Sequence, residues 1–202
     1  MKRRDLIRGA ATVIPASVAL QMLGAKWAFA QEGDFDGPVD VLNYALTLEY
    51  LEAEFYRQGN SADLLEGKAV GYLQTIQTDE EAHVMVLQDT IAELGGDAVP
   101  APMVDFGQAF ASADSFLETA FTFENLGVQA YLGAAPSLFQ EKALLTAAAS
   151  IFGVEARHVA IIGQLQGKPA EGGVYTGAFE TPKPRDEVLA AASPFIVSTV
   201  TH

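Results

Sequence analysis

One pattern occurs twice in this chain. Glu49 is followed seven residues later by Tyr56, and Glu124 by Tyr131. Glu80 is followed three residues later by His83, and Glu155 by His158. Glu49 and Glu80 are 31 residues apart, and so are Glu124 and Glu155. The sequence has only three histidines, and two of them fall in this repeat. On a helix, residues three apart share a face, so each Glu-x-x-His offers a carboxylate and an imidazole in one direction.

All four segments that carry the repeat have helical hydrophobic periodicity. From about Pro38 to Tyr56, one stripe joins Leu42, Ala45, Glu49, Glu52 and Tyr56, and Pro at a first helical position marks the start. From about Lys68 to Leu94 the stripe is Leu73, Ile76, Glu80, His83, Leu87, Ile91 and Leu94, stopped by Gly95-Gly96. A third stripe, Leu117, Phe121, Glu124, Val128 and Tyr131, follows the N-cap candidate Ser112. The fourth runs from about Pro136 to Gln166 through Leu144, Ala148, Ile151, Glu155, His158, Ile162 and Leu165. No segment of comparable strength alternates with period two, so no strands are expected. Short links around Gly59–Gly67 and Gly133–Ala135 predict two antiparallel hairpins. The 17 residues 95–111 between the hairpins reach about 55 Å when extended, enough to climb a second helix of about 40 Å. The expected fold is therefore all-α: a four-helix bundle of two antiparallel hairpins joined by a long crossover. Residues 167–202 form a C-terminal extension, rich in Gly and Pro up to Arg185. A short helix is predicted there at Asp186–Ala192, and the extension is read as a strap over the bundle.

A buried carboxylate is costly unless it is paired or binds a metal. Glu49, Glu80, His83, Glu124, Glu155 and His158 interrupt all four apolar stripes and need a common cause. Two divalent ions supply one, because four carboxylates then bring the core close to neutrality. Carboxylate oxygen with imidazole nitrogen suits Fe or Mn, with Zn also compatible. Six protein ligands over two ions leave positions open for O2, peroxide or water. The absence of Cys excludes disulfides, thiolate nucleophiles and Cys-based zinc or iron–sulfur sites.

A Glu on each of two helices with Glu-x-x-His on the other two resembles the ferritin-like di-iron and di-manganese proteins, over residues 38–166. NYALTLEYLEAEFY, DEEAHV and VQAYLGAAP, with the tail AFETPKPRDEVLAAASPFI, are similar to the exported bacterial ferritin-like domain or desiccation-related group. The resemblance implies that Glu49, Glu80, His83, Glu124, Glu155 and His158 are metal ligands. A similar Glu-then-Tyr on the first helix of bacterioferritin-like proteins favours Glu49 over Glu52. Glu52 is read as an acid behind the ligands or on the surface, with an extra ligand as the alternative, and Asp79 and Glu81 as surface charge. Tyr56 and Tyr131 are read as core residues, as redox-active residues or as hydrogen-bonded to the ligands. Arg157 is expected to point away from the site. Phe116, Phe121 and Phe123 are read as core or as contacts in a homo-oligomer.

Residues 1–30 read as an address. MKRRDLIRG carries Arg3 and Arg4, an apolar stretch too short to span a bilayer follows, and Ala28-Phe29-Ala30 fits a cleavage site. This resembles a twin-arginine export signal, leaving 31–202 as one ferritin-like domain in the periplasm. Its removal would leave 7 basic and 25 acidic residues, a net charge of −18. Such a surface repels nucleic acid and anionic membrane, and no membrane insertion of the mature chain is expected. The expected chemistry is that of a di-iron oxidoreductase of the ferroxidase or peroxide-detoxifying kind. The alternatives are a manganese catalase-like enzyme and a non-enzymatic stress or structural protein of the envelope whose metals staple the bundle.

Overall fold

The computed structural model describes residues 35–197, so the export-signal reading of residues 1–30 and His202 fall outside the described residues. Four long helices form the body: α1 Pro38–Ser61, α2 Lys68–Glu93, α3 Ala113–Ala134 and α4 Lys142–Leu165. Hydrogen bonds fix the sense of the first hairpin. The Asn60 side-chain amide donates to Gln77, that of Gln88 to the Tyr50 hydroxyl, and that of Asn43 to the Asp97 carbonyl. Rising numbers on α2 thus meet falling numbers on α1, and the pair is antiparallel. Helix α3 begins at the expected N-cap: Ser112 accepts from the Ser115 amide, and Ser115 Oγ accepts from the Ser112 amide. Helix α4 is long and apolar enough to cross a membrane by length and composition alone. In the fold it packs along α3 and turns Glu155 and His158 into the interior.

The crossover climbs the bundle as its length requires, anchored by buried Phe106 and Ala109. It carries a two-residue strand, β1 Met103–Val104, paired antiparallel with β2 Ile196–Val197 of the tail. This ladder is too short to have a sequence period, and it corrects the expectation of no strands. The fourth helix begins at Lys142 rather than near Pro136, because Ala135–Leu138 forms a separate 3₁₀ turn.

The tail is a strap. Arg185 of α5 (Arg185–Ala192) forms a two-pronged ion pair with Asp40, at 2.7 and 3.0 Å. The Lys183 amide donates to the Gln129 carbonyl at 3.1 Å. A Cβ on Gly133 would lie 2.1 Å from the Lys183 carbonyl oxygen, so glycine is what lets the strap reach α3. The strap's own Val188 and Ala192 are fully buried against the bundle, and the Phe195 ring meets Phe123 edge-on at 4.8 Å.

Candidate metal centre

The six predicted residues come together at one level of the bundle, and all are buried. Glu49 comes from α1, Glu80 and His83 from α2, Glu124 from α3, and Glu155 and His158 from α4. Their donor atoms form two groups, each within 4.8 Å throughout: Glu49, Glu80, His83 and Glu155; and Glu80, Glu124, Glu155 and His158. Glu80 and Glu155 belong to both. The two groups are mates under the twofold that relates the hairpins, with each residue 75 positions from its partner.

The contacts suit ions better than hydrogen bonds. His83 Nδ1 lies 3.2 Å from Glu49 Oε2, 3.2 Å from Glu80 Oε2 and 3.3 Å from Glu155 Oε1. His158 Nδ1 lies 2.9 Å from Glu80 Oε1 and 3.1 Å from Glu124 Oε2. One ring nitrogen cannot donate well to several oxygens, and the approaches to Glu80 Oε1 and Glu155 Oε1 are not aligned as hydrogen bonds. Glu80 Oε1 and both Glu155 oxygens are buried without a hydrogen-bond partner. Orphaned buried acceptors of this kind are rare and need an explanation such as an ion. Donor atoms about 2.0–2.2 Å from one divalent ion stand roughly 3 Å apart, which is the spacing found between these side chains. The donor set therefore fits a metal ion in each group.

Electrostatics point the same way. Burial, then repulsion from Glu49 and Glu124, pushes Glu80 up to about 8. Burial and the charges of Glu80, Glu124 and Glu49 push Glu155 well above the usual carboxylate range. For the histidines, burial opposes the imidazolium, but the carboxylates beside them prevail. Glu155, Glu49 and Glu80 raise His83 to about 12, and Glu124 and Glu80 raise His158 to about 11. Protons hold the charges together here, and divalent cations would displace them.

Around the donors, the tyrosines cross between the halves. The Tyr56 hydroxyl donates to Glu124 Oε1, and the Tyr131 hydroxyl to Glu49 Oε1. Each fixes the carboxylate of the opposite hairpin. Arg157 points outward, as expected, and bonds the Gly153 carbonyl. Phe116 and Phe123 belong to the core, with Phe121 packed against it.

One expectation is corrected and another is narrowed. Asp79 is not idle surface charge: its Oδ2 lies 3.2 Å from His158 Nε2. A histidine that offers Nδ1 to a metal can donate its other N–H to such a carboxylate, which fixes ring and tautomer. Glu52 is not on the surface: it is buried, and its carboxyl is pushed well above the ordinary range by burial and then by Glu155, Glu80, Glu124 and Glu49. A Cβ on Gly127 would lie 2.8 Å from Glu155 Oε2 and 3.3 Å from Glu52 Oε1. Gly127 is the twofold mate of Glu52, and Val154 is that of Asp79. Superposing the two halves of the sequence exposes both departures, whereas helical periodicity alone does not.

No curated protein matches the chain. Among protein families, residues 37–168 match the family described as Ferritin-like domain, well over half of the sequence and the whole of the four-helix body. With a bundle of this topology around a buried Glu and His cluster that can hold metal, the chain belongs to the ferritin-like domain family.

Proposed function

We propose that this chain is a binuclear non-haem metal protein, with iron as its metal, that reacts with O2 or peroxide. The observation that carries the reading is the sharing of Glu80 and Glu155 between two donor groups, with Glu80 Oε1 and both Glu155 oxygens buried and without a hydrogen-bond partner among the described residues. Glu49 and His83 complete one position, and Glu124 and His158 the other. When bound, a pair of iron ions supplies two electrons to an oxidant. The chain's own residues do the rest. Glu80 and Glu155, which belong to both donor groups, would help to hold both ions. Tyr56 and Tyr131 orient Glu124 and Glu49, and Asp79 orients His158. The apolar residues above and below the donor level exclude bulk water, which strengthens every electrostatic contact inside.

The same reading takes residues 1–30 as a twin-arginine-type signal, 31–202 as the exported domain, and the periplasm as its place of work. Its support is the sequence pattern Arg3-Arg4, apolar stretch, Ala28-Phe29-Ala30. Membership of the desiccation-related group, a part in stress response and assembly into a homo-oligomer belong to this proposal too.

The test is metal analysis of the purified protein followed by rapid mixing of its reduced form with O2 and with peroxide. About two ions per chain are expected, with loss of at least one in His83→Ala and His158→Ala. Retention of no metal by the wild type sinks the reading. Oxygen evolved from peroxide by a manganese-loaded sample marks the catalase-like alternative. A melting temperature that rises with metal, without turnover of either oxidant, marks the stapled structural protein.

A further inference from the structure

The donor level divides the bundle into two ends that the internal twofold makes equivalent, yet the ends are packed differently. At one end Ile76, Ala120 and Ile162 stand one helical turn from the donors and Tyr56 stands two turns from Glu49, none of them more than 1% exposed. Phe55 closes this end against Phe106, Phe116 and Phe123, with ring centroids 4.9–5.3 Å apart. Their mates at the other end are Tyr131, Ile151, Ala45 and Leu87, at 4–7% exposure. Among the described residues no aromatic cluster covers them, and a cavity of about 40 Å³ remains.

The place of this cavity is fixed by the helices. Leu87 follows His83 by four residues, Ile151 precedes Glu155 by four, and Ala45 precedes Glu49 by four. At 1.5 Å per residue its floor is about 6 Å from the donor level. Tyr131 stands between the two, lining the cavity while its hydroxyl donates to Glu49. The mouth opens between α2 and α4, where Val86 and Ala147 are exposed.

The walls are almost wholly hydrocarbon. Among the polar lining groups, the Thr90 hydroxyl is tied to the Val86 carbonyl and that of Tyr131 to Glu49, leaving the Tyr44 hydroxyl without a hydrogen-bond partner among the described residues. An ordered water needs two to four polar partners, and peroxide, with two donors and two acceptor oxygens, needs as many. One hydroxyl does not meet that need. A small apolar gas needs no polar partner, and apolar protein cavities take up xenon for this reason.

We propose that the cavity over Glu49 and His83 binds dioxygen and is the route by which it reaches the centre. The delivery half of the proposal rests on the metal centre proposed above; the gas site does not.

The experiment has two arms. In the first, the metal-free full-length chain is exposed to xenon under pressure, in crystals or by NMR. Xenon is expected between Leu48, Leu87 and Ile151, and its absence there overturns the gas site. In the second, Ala148→Phe fills the cavity, and Ala147→Trp obstructs only its exposed mouth, where the fold tolerates bulk. Ala148→Phe is expected to lose xenon and Ala147→Trp to take it up more slowly, and both are expected to keep wild-type metal content. After iron loading, each is expected to be oxidised at least tenfold more slowly by O2, at an unchanged rate by peroxide. Equal slowing with both oxidants, or no slowing with either, overturns the route. A wild type that retains no metal sinks the proposed function and the delivery with it. Xenon uptake then still decides the cavity by itself.

Discussion

Asp79 and Gly127 show how much of the centre depends on residues that bind nothing. The Asp79 carboxylate faces His158 Nε2 from a neighbouring helix. Asp79→Asn keeps the size but removes the charge that favours the donating tautomer. A chelator competition should show metal affinity weakened about 10–100-fold at one position, with Glu81→Gln unchanged. Equal affinities for the two variants would return Asp79 to the surface charges. At Gly127 the added methyl of Gly127→Ala would press on Glu155 Oε2 at 2.8 Å. Because Glu155 is shared by both donor groups, the expected result is loss of metal from both positions, read as ions per chain. The six donors were legible from sequence because each breaks an apolar stripe. Asp79 was not, because its partner lies on another helix and nothing in a one-dimensional period records that distance. The depth of Glu52 was hidden for a related reason: its room is made by a missing side chain at Gly127.

The four long helices could be read directly, since helical period, Gly stops and the Ser112 cap all act within a few residues. The start of α4 was misplaced because Pro136 and the residues after it form a 3₁₀ turn, whose local sequence satisfies helix-start rules equally well. The ladder between crossover and tail was invisible, as two residues per strand carry no alternation. The strap itself was expected, but the structure adds how it is held: an ion pair at Asp40, a backbone contact at Gln129, and the burial of its own Val188. Burial contributes most of that. Val188→Ala should cost about 2 kcal/mol in chemical denaturation. Arg185→Ala should cost about 1 kcal/mol or less through the ion pair, since both charged groups are partly exposed, plus the loss of its packing over the Phe35 ring. A Val188 effect no larger than that at a solvent-facing position would mean that the strap is not part of the cooperative fold.

For the whole molecule, the protonated centre sets how stability depends on pH. Glu80 sits at about 8 folded against an ordinary 4.5, so the folded state holds more protons between those values. Its contribution is complete below about pH 4.5 and is lost as pH rises through about 8. His83 and His158, raised from 6.5 to about 12 and about 11, act in the same sense from pH 6.5 upward. Metal-free protein should therefore melt at falling temperature from pH 5 to pH 9. Metal requires the deprotonated ligands, so the gain in melting temperature on adding it should widen over the same range. A gap that narrows with rising pH would place the bound ions elsewhere. The internal twofold bears on more than stability. Two separate hairpins with one sequence would pair as an isologous dimer, and every feature of one half would be forced on the other. Such an assembly could never own a single Asp79, a single Glu52 or only one open end. Joining the halves through residues 95–112 removes that obligation, so this centre is free to be lopsided in a way that no symmetric pair of hairpins can be.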